Sequence, residues 1–389
     1  MAKIELLRGV SEVKREDWNH LVGDESPFLE WDWLASLEDS GALGPSTGWA
    51  PRPLVARENG RLIAACPLYF KAHSEGEFVF DWSWADAAER AGIRYYPKLL
   101  VGVPFTPVMG ARFLVAPGLD RSAWVGRLGA ALRELCLANE LSSVHVCFAR
   151  EDEIKPLIAA DFELRIGVQY HWQNPGYADF EAYLARFRSK RRNQIRRERR
   201  ELERSDVRIE VLEGEAIPDS LFEHMFGFYQ ANVQDKVWGR QYLNRRFFEL
   251  LAQRFRRRLS FVVAWRGDQP IAGTLNVRKG DSLYGRYWGG ETRIPYLHFN
   301  VCYYAAVEHC IRQGILRFEP GAGGDYKQLR GFDAVPTWSL HFVADPRLRE
   351  AVGRFLSMER KEAEHTIDWL RENSAFKPAA NVEAQKSPR

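Results

Sequence analysis

With 389 residues, 46% of them hydrophobic and 13% aromatic, the chain is long enough for two domains of ordinary size, each with its own core. A formal net charge of only +3 excludes a chain-wide polyanion binder, so any affinity for phosphates must come from local clusters. No apolar run reaches the roughly 20 residues a membrane helix needs, the opening MAKIELLRGVSEVKREDW is no signal peptide, and five cysteines without a CxxC or Cys/His cluster read as reduced thiols of a cytoplasmic protein without a metal.

In chain order, a strand near Ile4 and helical segments to Leu43 precede a strand-turn-strand unit, Leu54–Lys71, turned at Glu58–Asn59–Gly60. An aromatic and acidic patch follows, FVFDWSW at 78–84 with Asp86 and Tyr95, then an amphipathic helix over Leu119–Leu141 and a strand at Val144–Phe148. Phe180, Leu184 and Phe187 begin one helical stripe that continues through Ile195 to Leu202, interrupted by Arg191. Helices over Ser220–Ala231 and Tyr242–Arg256 lead to a second strand-turn-strand unit, Val263–Val277, and a strand at Leu283–Trp288. A helix from His298 to Gln313, capped by Gly314, then a strand at Leu316–Phe318 and a helix at Leu348–Leu370 complete the reading, with a polar, disordered tail from Asn373.

An internal repeat organises these elements. Helix, strand, turn, Lys, Phe and His recur as Cys136, Val146, Lys155, Phe162, His171 and as Cys310, Phe318, Lys327, Phe332, His341, with nine residues from Phe to His in both. Two similar α/β domains are expected, 1–170 and 171–375 with a basic helix at 180–204, followed by a disordered 376–389. Only the later copy keeps its glycines, in FEPGAGGDYKQLRGF at 318–332.

Gly321, Gly323 and Gly324 follow a strand directly, with Lys327 and Arg330 beyond, a pattern that can hold a phosphate or an oxyanion on backbone amides and two cations. It can equally be a tight turn with solvated charges. The run RFRSKRRNQIRRERRELER at 186–204 supplies Lys190, Arg191, Arg192 and Arg196, either a solvated helix face or a site for tRNA or a nucleotide-linked substrate. Asp81, Trp82, Asp86 and Tyr95 suit an amine or a sugar face, or else an aromatic core corner. His298 opens a helix on which Tyr304 shares a face with Asn300.

The runs SPFLEWDWLASLEDSG, FDWSWADAAERAGIRYYPKLLVGVPFTPV, KRRNQIRRERR, DKVWGRQYL, LHFNVCYYAAVEHCI and FEPGAGGDYKQLRGF resemble the FemAB-like predicted N-acyltransferases of the GNAT superfamily over residues 4–372. The resemblance implies an α/β (α+β) fold of two tandem GNAT-like domains, each a mixed sheet flanked by helices. It implies transfer of an acyl group from acyl-CoA, or from aminoacyl-tRNA, to a small-molecule or peptide amine. Asp325 would then take the amine proton, Lys327, Arg330, Gly323 and Gly324 would hold the oxyanion, and His298 would be a further catalytic residue. Donor phosphates would lie near Lys190, Arg191, Arg192 and Arg196, and the acceptor near Asp81, Trp82, Asp86, Tyr95, Tyr304 and Tyr326. Asn300, Gly323, Asp325 and Tyr326 depart from the family's usual Glu, Gln, Glu and His. The alternatives are a scaffold that binds a nucleotide-linked or peptide ligand without chemistry, and an RNA-binding module.

Overall fold

The computed structural model describes residues 2–235, 239–290 and 294–377. The first half runs β1 (Lys3–Leu6), α1 (Arg15–Val22), α2 (Trp31–Asp39), β2 (Trp49–Pro51), β3 (Leu54–Glu58), β4 (Arg61–Cys66), β5 (Leu68–Lys71), α3 (Trp82–Arg90), β6 (Lys98–Val101), β7 (Leu114–Val115), α4 (Arg121–Ala138), β8 (Ser143–Ala149), α5 (Glu151–Ala159) and β9 (Glu163–Gln173). The β3–β4 hairpin turns at Asn59 and Gly60, both at positive φ. Asp120 caps α4 by accepting from the Ala123 amide, and Trp124, Leu128, Leu132 and Cys136 lie on its buried face, while Leu135, expected on the same stripe, is only half-buried. Pro67 splits the predicted Leu54–Lys71 unit: β4 belongs to a four-stranded sheet, β1-β3-β4-β7, and β5 to the main sheet.

The second half comprises α6 (Phe180–Ala185), α7 (Ser189–Glu203), β10 (Val207–Glu213), α8 (Ser220–Gln234), α9 (Arg245–Arg254), β11 (Leu259–Arg266), β12 (Gln269–Lys279), β13 (Ser282–Gly290), α10 (Leu297–Phe299), a π-helical turn (Asn300–Tyr304), α11 (Ala305–Arg312), β14 (Arg317–Glu319), a 3-10 turn (Asp325–Arg330), β15 (Asp333–Val343) and α12 (Pro346–Glu372). Asn244 caps α9, so the helix foreseen from Tyr242 begins three residues later. The continuous helix foreseen over 180–204 is broken at Arg186–Arg188. Phe187, fully buried, leaves the helix to form a β-bridge with Phe376. Ala375–Lys377, assigned from sequence to a loose tail, are therefore packed: the Lys377 amide donates to Arg186 O at 2.8 Å. Residues 378–389 and 236–238, the latter within DKVWGRQYL, lie outside the described residues.

One sheet of eleven described strands, ordered β10-β11-β12-β13-β14-β9-β15-β8-β6-β5-β2, runs through both halves. The halves exchange their last strands: β9 pairs with β14, and β15 pairs with β8. The boundary drawn at 170 falls inside β9, because a strand that completes the other half's sheet belongs to both units. Between β9 and β15 the antiparallel register sets His171 opposite Asp333, Glu163 opposite His341, and Gly167 opposite Thr337 at the centre. A displacement of 170 residues, Phe162 to Phe332 and His171 to His341, maps this ladder onto itself. The two halves thus meet across a quasi-twofold axis through Gly167 and Thr337. A Cβ on Gly167 would stand 2.7 Å from Thr337 Oγ1, so the axis position admits little more than hydrogen.

Candidate active site

In the second half, the parallel pairing of β13 with β14 stops at Tyr284 and Glu319. There the chain enters Pro320–Gly324, where Gly321, Gly323 and Gly324 all have positive φ. Gly324, at φ +86, needs glycine for its backbone, and a Cβ there would also have to displace the exposed Tyr326 ring, 2.7 Å away. Lys327, buried, donates from Nζ to Gly321 O at 2.6 Å and Ala322 O at 3.2 Å, pinning the turn. Burial pulls its ammonium down to about 8.

The residue before this turn, Glu319, is 2% exposed. Its nearest basic side chains are Arg317, with Nε 3.3 Å from Oε1, and His171, with Nε2 3.6 Å from Oε2, and neither oxygen accepts a hydrogen bond. Burial pushes the carboxyl up to about 7, against the opposing charges of Arg317, Arg112 and Arg286. Burial also holds His171 down at about 3, so it faces Glu319 as a neutral imidazole. Two other carboxyls are raised to about 7, but each is engaged: Glu77 accepts from Lys98 Nζ at 2.9 Å, and Glu38 from the Val10 amide at 3.0 Å.

Pro320, Gly321 and Ala322 form the floor of a cleft of about 460 Å³ between the halves. Phe78, Phe80, Trp82 and Phe105 line it from the first half, Tyr242 and Trp288 from the second. Arg286, on the cleft's β13 side, donates to Phe105 O. Phe105 stacks on Tyr242 at 4.8 Å and 11°.

The corresponding opening in the first half is filled. Beyond the β6–β8 parallel pairs, Arg112 is 1% exposed and donates from Nε to Cys147 O at 2.6 Å. Glu153 accepts from the Arg112 and Phe113 amides at 2.8 and 2.9 Å. A plugged first half and an open second half leave the floor at Pro320–Ala322 as the site of interest.

A sequence model described as peptidoglycan biosynthesis/recognition, FemAB-like, matches residues 9–378. The chain belongs to the FemAB-like family. Among solved structures it is similar to FemX at 11% identity, over 90% of this chain and 100% of that one, with a TM-score of 0.53. It is also similar to the C-terminal domain of a putative lysylphosphatidylglycerol synthetase from Agrobacterium fabrum, at 10% identity over 88% and 96% with a TM-score of 0.54. A conserved protein of unknown function from Bacteroides thetaiotaomicron matches at 12% identity over 88% and 100%, TM-score 0.52. No curated protein matches the chain. The fold is thus the FemAB-like one, two tandem halves joined in one large mixed sheet flanked by helices.

The site residues read from the sequence of this FemAB-like protein fall into separate places. Trp82 lines the cleft, but Asp81 and Tyr95 do not: Asp81 accepts from Tyr95 OH at 2.6 Å and from Lys98 Nζ at 2.5 Å, all three buried. They are the aromatic core corner that the sequence left open, because Lys98 carries the compensating charge from a strand. Asp86 is exposed on α3. Asp325 is exposed too, 3.5 Å from Tyr170 OH. Arg330 is not free to hold an oxyanion. It pairs with Glu198 at 3.0 Å and with Tyr304 OH at 2.9 Å, and its guanidinium lies 3.4 Å from the Phe299 ring centroid. Glu198, 1% exposed, is thus the inward charge of the basic helix; Arg191, foreseen in that place, is half-buried and donates to Gln194 at 2.9 Å. His298 packs in an aromatic group with Trp288, Tyr303 and Tyr326 at 5.0, 5.4 and 5.9 Å. The π-helical turn beneath it brings Asn300 to Glu198 O at 3.1 Å.

On α7, Arg196 pairs with Glu181 and Arg199 with Glu308. Lys190, Arg192, Arg197 and Arg200 have no carboxylate within salt-bridge distance among the described residues. Glu319 and the Glu198–Arg330 pair were missed because nothing local marks them; their partners come from β9, the π-helical turn and the other half. Among the described residues no cluster of three or more His, Cys, Asp or Glu could hold a metal, and no helix is long and apolar enough to cross a membrane.

Proposed function

We propose that this protein is an N-acyltransferase with one site, at the Pro320–Gly324 floor of the cleft, and that Glu319 is its general base. The observation that carries this reading is a buried carboxyl beside an open cleft whose oxygens accept no hydrogen bond and whose proton affinity lies near neutrality. An acceptor amine in the cleft loses its proton to Glu319 as its nitrogen attacks the donor carbonyl carbon. The C–N bond forms, the carbonyl oxygen becomes the oxyanion, and the Gly323 and Gly324 amides stabilise it. Collapse breaks the C–S bond of a thioester or the C–O bond of an aminoacyl ester, and the carrier leaves with the proton. Lys327 acts on the turn and not on the oxyanion, since its ammonium is spent on Gly321 and Ala322 carbonyls.

Carrier phosphates would rest on the ridge of Lys190, Arg192, Arg197 and Arg200, which the Glu198–Arg330 pair fastens to the far end of the glycine turn. Acyl-CoA and aminoacyl-tRNA both fit that ridge, and a peptide or small amine fits the cleft. The two halves descend, in this reading, from one duplicated unit in a cytoplasmic enzyme. The test is product formation from thioester donors and amines by wild type, Glu319→Gln and Asp325→Asn. Loss of about 100-fold or more in the first variant alone is expected; equal loss in Asp325→Asn alone would return the base to Asp325.

A further inference from the structure

Resting on the acyl-transfer reading, the cleft also specifies what one substrate carries. The wall is built from both halves by aromatic rings, and at its mouth Phe80 and Trp82 stack at 4.8 Å and 29°, each 51% exposed. Among its described lining residues are two cations, Arg240 and Arg286, and no carboxylate; Arg240 pairs outside the lining with Glu75. An aminoacyl group brings an ammonium into the cleft wall itself, where aromatic faces attract it only weakly, Arg240 and Arg286 repel it, and no carboxylate among the described lining residues pairs with it. An acetyl group would leave most of the aromatic wall wet in a cavity of about 460 Å³, the size that encloses a drug-sized ligand.

We infer that one of the two substrates bears a linear or aryl apolar chain of medium to long length, lying between Phe80–Trp82 and the Phe105–Tyr242 stack with its reacting end at Pro320–Ala322. The same chain could arrive on the acyl donor or on the amine, so the experiment has an arm for each.

Binding to the full-length protein would be measured calorimetrically for acetyl-, butyryl-, octanoyl- and dodecanoyl-CoA, for butyl-, octyl- and dodecylamine, and for alanyl-tRNA. Affinity should climb in one series by about four-fold per buried methylene, the ~0.8 kcal/mol of a methylene converted at 1.36 kcal/mol per decade, and then level off. A climb among the CoA esters places the chain on the donor, and among the amines on the acceptor. Val233→Trp, narrowing the cleft, should shorten the length at which affinity levels off. Should that variant misfold, Phe80→Ala with Trp82→Ala, both at the exposed mouth, should weaken only the long members. Flat affinity in both series, or tighter binding of alanyl-tRNA than of every long chain, overturns the inference. Length-dependent binding without N-acylated product would uphold the chain site and sink acyl transfer; product with no length dependence would do the reverse.

Discussion

Replacing Glu319 by Gln should make the protein more stable, and increasingly so as the pH rises. In the folded state the carboxyl is raised from 4.5 to about 7, by burial that Arg317, Arg112 and Arg286 only partly offset. A carboxyl whose folded pKa exceeds its unfolded one holds its proton more tightly when folded. Stability is therefore lost as pH rises from 4.5 to 7, by 1.36 kcal/mol for each pH unit of the window, about 3 kcal/mol in all. Gln keeps the volume and has no charge to bury. The variant should gain about 1 kcal/mol at pH 5 and about 3 kcal/mol at pH 8. At an unfolding entropy of ~2.1 cal/mol/K per residue, the gain at pH 8 is about 4 °C in Tm. Denaturant unfolding and calorimetry at both pH values would read it. A variant no more stable than wild type at pH 8, or one whose gain does not change with pH, would refute the claim that this carboxylate is strained towards its protonated form, and with it the reason for choosing Glu319 as base.

Removing one partner of the buried Glu198–Arg330 pair should destabilise by about 3–5 kcal/mol, whereas Glu198→Leu with Arg330→Met together should cost less than either alone; a double-mutant cycle by urea unfolding checks it. Gly324→Ala, at φ +86 with its Cβ against Tyr326, should strain the turn by about 1–3 kcal/mol, speed amide exchange at 321–327 and lower turnover. Exchanging Lys190, Arg197 and Arg200 for Ala should flatten the log–log salt dependence of tRNA or CoA binding by about 2 over roughly 50–200 mM salt, read by fluorescence anisotropy.

The sequence was informative where the physics is local. The Asn59–Gly60 hairpin, the buried stripe of α4 and the glycine turn all follow from turn chemistry or periodicity. The nine-residue Phe-to-His interval was visible, but not that it runs along β9 and β15, which were not read as strands and whose ladder keeps that spacing in register. Strand exchange was not legible, because pairing between strands 170 residues apart leaves no periodic trace in either. The site was half legible for the same reason. Gly323, Gly324 and Lys327 announced a turn, but Glu319 sits in the same motif as an ordinary strand-end glutamate until His171 of β9 and Arg112 of the other half bury it. Arg330 and Asp81 have the composition of ligand-binding charges, yet Glu198 and Lys98, distant in sequence, already neutralise them. The basic run hid its one decisive acidic residue among ten cations.

The most direct test of the account is the pH dependence of kcat/KM for amine acylation by wild type, once a turned-over donor and amine are in hand. A rise with pH governed by an apparent pKa near 7, absent from the residual rate of Glu319→Gln, is the predicted result. A profile flat across neutrality, or the same inflection kept in the variant, would contradict a Glu319-dependent transfer at the Pro320–Gly324 floor.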